Sequence, residues 1–134
     1  MYGIGIGESD FKILRIKEDY YIDKTKYIKD IIDNRSKVLL ITRPRRFGKT
    51  LNMSMLRYYF DCTKKDNKEL FEGLKIMKQD EKYTSKLGYY PCIYLTLKDV
   101  METNYVNMIL NMKIAILFCL FFFCMSISSL FIFC

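Results

Sequence analysis

The sequence predicts an α/β fold: an incomplete parallel sheet with flanking helices, followed by an apolar C-terminal helix. Three observations lead there. Val38-Leu39-Leu40-Ile41 is an unbroken apolar run of strand length, the pattern of a strand covered on both faces. Cys92-Ile93-Tyr94-Leu95-Thr96-Leu97 reads as a second buried strand after the punctuation of Gly88 and Pro91. Helical patterns precede and follow the first strand, so the chain opens as a β-α-β arrangement would.

Taken in order, Ser9 caps a short helix carrying Ile13, Leu14 and Ile16, and Tyr20-Tyr21-Ile22 suits an extended segment. Asp23 opens a better helix. Tyr27, Ile28, Ile31 and Ile32 make its apolar stripe while Lys24, Lys26, Lys29, Asp30 and Asp33 stay wet, and Asn34 stops it. After the first strand, Thr50 to Asp61 is helix-like, with Leu51, Met55, Leu56, Tyr59 and Phe60 on adjoining faces. Short helices are expected at Lys68 to Lys75 and at Asp80 to Leu87. Beyond the second strand, Thr103 can cap a helix running through Tyr105, Met108, Ile109 and Met112.

The 134 residues carry 22 basic and 15 acidic side chains, a net charge of +7, and amount to one domain's worth of chain. Charge is unevenly spread. Every charged residue lies within residues 1–113, and Ile114 to Cys134 has no charge, proline or glycine. The absence of histidine removes Ser-His-Asp and Cys-His catalysis, His-ligated zinc and histidine pH switching from this chain. Cys62, Cys92, Cys119, Cys124 and Cys134 form no C-x-x-C pair, so they read as reduced bystanders. The start, MYGIGIGESDFK, has neither a basic leader nor an apolar core of the secretory kind, which places the body in the cytosol. Gly3, Gly5 and Gly7 mimic a dinucleotide loop, but no strand precedes them and Glu8 stands where a further glycine is needed, so they form a flexible start.

Between the first strand and the next helix lies Arg43-Pro44-Arg45-Arg46-Phe47-Gly48-Lys49-Thr50. A triphosphate needs converging backbone N–H groups, the positive end of a helix dipole, a lysine for the outer phosphates and a hydroxyl for Mg²⁺. The closing Gly48-Lys49-Thr50 meets that need. Gly48 permits close backbone approach, Lys49 would reach the β- and γ-phosphates, and Thr50 would ligate the metal. The opening departs from G-x-x-x-x-G-K-[ST], because Arg43 occupies the first glycine position and Pro44 fixes the next φ. Arg43, Arg45, Arg46 and Lys49 could instead form a nucleic-acid backbone patch, although Phe47 is the only aromatic among them. The segment Asp23-Lys24-Thr25 has no catalytic logic of its own and reads as a helix start.

These residues resemble a known family. G-E-S-D-F at 7–11, Y-Y-I-D-K-T at 20–25, T-R-P-R-R-F-G-K-T at 42–50, N-M-S-M-L at 52–56, E-L-F-E-G-L at 69–74 and Y-P-C-I-Y-L at 90–95 look like the AAA-ATPase-like domain family. Its members are P-loop proteins that often carry a PD-(D/E)XK-nuclease-like domain near the C-terminus. The resemblance covers about residues 5–113. It accounts for Arg43, since that family's loop also has Arg there, and implies a P-loop NTPase-like sheet with ATP and Mg²⁺ held at Lys49 and Thr50. It also hints that Asp23-Lys24-Thr25 packs near the nucleotide. By the same resemblance a Walker B strand ending in an acid belongs beyond the second strand. The chain ends before it, and Asp99 is a weak stand-in because Lys98 intervenes and the order along the chain is wrong. A truncated domain over 1–113, binding ATP with little turnover and without the nuclease-like domain, is therefore expected.

The tail, 114–134, admits two readings. As a helix its residues at ~1.5 Å each would span about 30 Å, enough for a bilayer, and Lys113 at its entrance would keep the body cytoplasmic. The abrupt change to Phe, Cys, Ser, Leu and Ile is also what a shifted reading frame would write. The rival to a nucleotide site is a non-catalytic, membrane-tethered basic module meeting anionic lipid or nucleic acid.

Overall fold

The computed structural model describes residues 3, 7–63, 65–96, 104–124 and 130–133. The chain divides into two compact units, Met1–Tyr89 and Tyr90–Cys134. In the first, helices α1 (Phe11–Ile16), α2 (Lys26–Asp33) and α3 (Lys49–Phe60) are followed by 3-10 turns at Lys65–Phe71 and Lys75–Lys78 and by the short α4 (Glu81–Thr84).

The core of this unit is aromatic. Phe71 is fully buried between Phe11, whose ring centroid lies 5.1 Å away, and Tyr59, also at 5.1 Å and nearly perpendicular. Tyr21 meets Phe11 edge-on at 5.3 Å. Edge-to-face pairs set the positive ring edge against the negative face, so the cluster fixes orientation as well as burying apolar area. Met55, Leu56, Ile28, Leu14 and Ile76 complete it. Polar groups at its margin are satisfied: the Tyr59 hydroxyl donates to Tyr83 O at 2.8 Å, Asn67 Nδ2 to Tyr58 O at 2.8 Å, and Phe11 N to Ser54 Oγ at 3.1 Å.

Helix boundaries differ from the sequence reading in instructive ways. Asp10, not Ser9, caps α1, its Oδ1 accepting from Lys12 N and Ile13 N. Its other oxygen accepts from the Tyr58 hydroxyl at 3.2 Å, so the residue that caps is the one a tertiary contact also uses. The α2 helix begins two residues after Lys24 and ends at Asp33, with Asn34 as the expected stop. Of its apolar stripe only Ile28 is fully buried, with Tyr27, Ile31 and Ile32 half-covered. The single helix expected at Lys68 to Lys75 is two 3-10 turns broken by Gly73 at φ +77°.

The first predicted strand is not formed. Residues 38–41 form no strand, and Val38 and Leu40 are 82% and 83% exposed. An apolar run becomes a parallel strand only when neighbours supply ladder hydrogen bonds and helices cover its faces. Among the described residues nothing pairs with it, so the P-loop-type sheet expected beneath the Arg43 loop is absent there.

In the second unit, β1 (Cys92–Leu95) occupies the predicted second strand and pairs in parallel with β2 (Leu130–Phe133), Cys92 opposite Leu130 and Leu95 opposite Phe133. Between them runs α5 (Tyr105–Cys124). The apolar run 114–134 is thus split between a helix and a strand rather than forming one helix. The α5 helix opens with Asn107, Asn111 and Lys113 among its residues, which dilutes the part it shares with that run. Among the described residues no helix is long and apolar enough to cross a membrane, so the anchor expected at 114–134 finds no support there. Gly5, Asp99, Thr103 and Cys134 lie outside the described residues.

Candidate functional site

Helix α3 starts abruptly, and the sequence explains why. Gly48, at φ +69° and ψ +27°, occupies the N-cap position in the left-handed region that glycine enters without steric cost. No side chain caps the turn and no acid lies in it. The first helical bond is Asn52 N donating to Gly48 O at 2.9 Å. A helix start without a cap leaves first-turn N–H groups and the positive end of the dipole facing outward. Lys49 and Thr50 sit on that turn, both exposed.

Ahead of them Arg43, Pro44, Arg45, Arg46 and Phe47 are all exposed. Arg46 takes φ +68°, a conformation that crowds the Cβ of any L-residue, so two left-handed residues two apart fold the chain sharply into the helix. This turn replaces the flexibility of the missing glycine at position 43. The loop is closed by Lys49, whose ammonium donates back to Arg43 O at 2.6 Å. The structure therefore brings Arg43 and Lys49 together at the two ends of the loop and leaves Thr50 on the rim.

The local field favours an anion. Residues 34–60 contain seven basic and no acidic side chains, leaving fifteen of each sign in the rest of the chain. The whole net charge of +7 belongs to the segment that holds the loop, as an anion-steering surface would require.

Two residues that sequence reasoning gave no role of their own approach this loop from the start of α2. A Cβ built on Gly48 would have as its nearest neighbour Lys24 Nζ, at 3.8 Å. The Tyr27 hydroxyl is buried without a hydrogen-bond partner among the described residues. Burial raises its pKa, Asp30 adds to the rise, and Arg43 opposes it, which places Tyr27 within the field of the loop's first residue. Only the Y-I-D-K-T resemblance pointed toward this proximity.

Nothing crowds the space in front of Gly48 except a lysine ammonium, and the donor set is cations, amides and one hydroxyl. That chemistry fits phosphate oxygens and, through Thr50, a hard cation such as Mg²⁺. The described residues contain no cluster of three His, Cys, Asp or Glu side chains for a metal. Cys62 and Cys92 are half-buried.

The family model described as a predicted AAA-ATPase matches residues 4–122. The chain belongs to the AAA-ATPase-like family. The match spans the loop, enters the second unit and continues past Lys113, where the motif resemblance ends. No curated protein and no solved structure matches the chain. AAA-ATPase-like proteins use nucleotide and Mg²⁺ in general, and this membership does not support a membrane or nucleic-acid partner.

Proposed function

We propose that the chain binds ATP with Mg²⁺ through residues 43–50 and turns it over slowly. One observation carries the reading: an uncapped helix start, entered through a left-handed Gly48, presents Lys49 and Thr50 at the outer edge of a loop with no acid in it. When bound, Mg²⁺ would neutralise phosphate charge and polarise the terminal phosphoryl group. The chain's own groups divide the rest. First-turn amides and the helix dipole would hold phosphate oxygens, the Lys49 ammonium would exchange Arg43 O for a phosphate oxygen, Thr50 Oγ1 would hold the metal, and the arginines at 43, 45 and 46 would steer the anion in.

Slow turnover follows from what surrounds the loop. Hydrolysis by this class needs a second acid for Mg²⁺ at the end of an apolar strand and a group to orient water. Among the described residues no apolar strand ends in such an acid. Isothermal titration of the full chain with ATP and Mg²⁺ tests the reading. Saturable binding that Lys49→Ala abolishes supports it. Wild-type protein that takes up no ATP, or that binds it unchanged after Lys49→Ala, defeats it.

A further inference from the structure

We propose that Lys24 is a second phosphate-binding lysine of the loop, reaching from the start of α2 to the face of Gly48. The inference rests on the nucleotide-binding reading above and assigns a residue outside the loop motif to the same ligand. Its first support is position: Lys24 Nζ lies 3.8 Å from where a Cβ of Gly48 would stand, beside the backbone that must approach the phosphates.

The second is how firmly Lys24 is aimed. Its neighbours on both sides are anchored elsewhere. Asp23 Oδ1 accepts from Thr25 N at 2.9 Å and from Thr25 Oγ1 at 2.6 Å, and Asp23 Oδ2 accepts from Lys75 N at 2.8 Å. Thr25 Oγ1 in turn accepts from Ile76 N at 3.1 Å, and Thr25 is fully buried. Residues 23 and 25 are therefore clamped to the 3-10 turn at Lys75–Lys78, which fixes the backbone from which the exposed Lys24 side chain reaches the loop.

The third is charge. No carboxylate among the described residues pairs with the Lys24 ammonium; the ion pair found there is Lys82–Asp33. Bringing a further cation against a segment of seven basic and no acidic side chains raises the repulsion unless an anion enters between them. Two ammonium groups from separate elements, with first-turn amides, suit a polyphosphate better than a single phosphate.

The test compares wild type, Lys24→Gln, Lys24→Arg, Lys26→Gln and Lys49→Ala in the full chain by titration with ATP, with inorganic tripolyphosphate and with AMP. Lys24→Gln is expected to weaken ATP and tripolyphosphate about tenfold, the scale of one charge-assisted hydrogen bond, and AMP much less. Lys24→Arg should restore binding to within about threefold, with the thermal midpoint unchanged throughout. Lys26→Gln, an equally exposed cation two residues further along at the first position of α2, should leave affinity unaltered. Full affinity in Lys24→Gln while Lys49→Ala abolishes binding overturns the role of Lys24 and leaves the loop intact. An equal loss in Lys26→Gln overturns it as well, because bulk charge then suffices. Absence of ATP binding by the wild type overturns the loop reading itself.

Discussion

Asp23 and Thr25 are joined twice, through the amide and the hydroxyl of Thr25, onto a single carboxylate oxygen. The pair behaves as one unit that fastens the start of α2 to the 3-10 turn at Lys75–Lys78. Because Thr25 is fully buried, replacing it by Val keeps the shape but removes the hydroxyl, stranding Ile76 N and one Asp23 contact. Thr25→Val should lower stability by about 2 kcal/mol, the cost of an unsatisfied buried donor, read as a shift in the urea midpoint at constant slope. It should also weaken ATP binding through the displacement of Lys24, although it removes no charge from the loop.

The same unit sets a pH dependence. Burial pushes the Asp23 carboxyl up, but the hydrogen bonds from Thr25 and Lys75 together outweigh it and hold the pKa below the ordinary 3.8. A depressed carboxylate contributes stability that is present above its unfolded pKa and is lost as pH falls through the folded one. The wild-type advantage over Asp23→Asn, about 1 kcal/mol near neutrality after allowing for the residue's exposure, should persist down to pH about 4 and vanish below it. Denaturant midpoints of both proteins at neutral and acid pH check this; a constant difference into the acid range rules it out.

How far the sequence disclosed this molecule depends on what each feature needs. Helix α3 was legible to within a residue because Gly48-Lys49-Thr50 and the following apolar spacing are local signals. The strand at Val38–Ile41 was not, because strand formation depends on partners that composition cannot report, and Val38, Leu39 and Leu40 stand exposed with Ile41 half-covered when none pairs with them. Hydrophobicity alone makes the apolar run after Lys113 either one helix or the product of a shifted reading frame, and neither reading points to the pairing of Leu130–Phe133 with Cys92–Leu95. Lys24 carried no signal beyond its motif resemblance, since its proximity to Gly48 depends on a clamp between residues about fifty positions apart.

Phe71 tests the core without touching the loop. It is fully buried and in ring contact with both Phe11 and Tyr59, elements far apart in the chain. Phe71→Ala should cost about 3–5 kcal/mol through lost burial and the remaining cavity, while Phe71→Leu should cost much less. Thermal melts of the two variants order them; equal losses would mean that the cavity does not set the cost.

Arg46 and Gly48 adopt the same left-handed conformation, but only one of them is built for it. Arg46→Gly relieves a backbone strain of about 1–2 kcal/mol and gives some of that back as greater freedom in the unfolded chain, for a net gain of about 0.5–1 kcal/mol. It also removes one cation from the steering surface, so ATP association should slow while the folded state becomes more stable. Gly48→Ala runs the other way. Its methyl meets nothing closer than the flexible tip of Lys24, so its cost is strain alone, about 1 kcal/mol, and it places a carbon where the phosphate backbone contact is proposed. The two variants should therefore move stability in opposite directions while both weaken ATP binding, Gly48→Ala the more strongly. Paired melts and titrations measure this, and a Gly48→Ala protein that binds ATP as tightly as wild type removes the close-approach argument for Gly48.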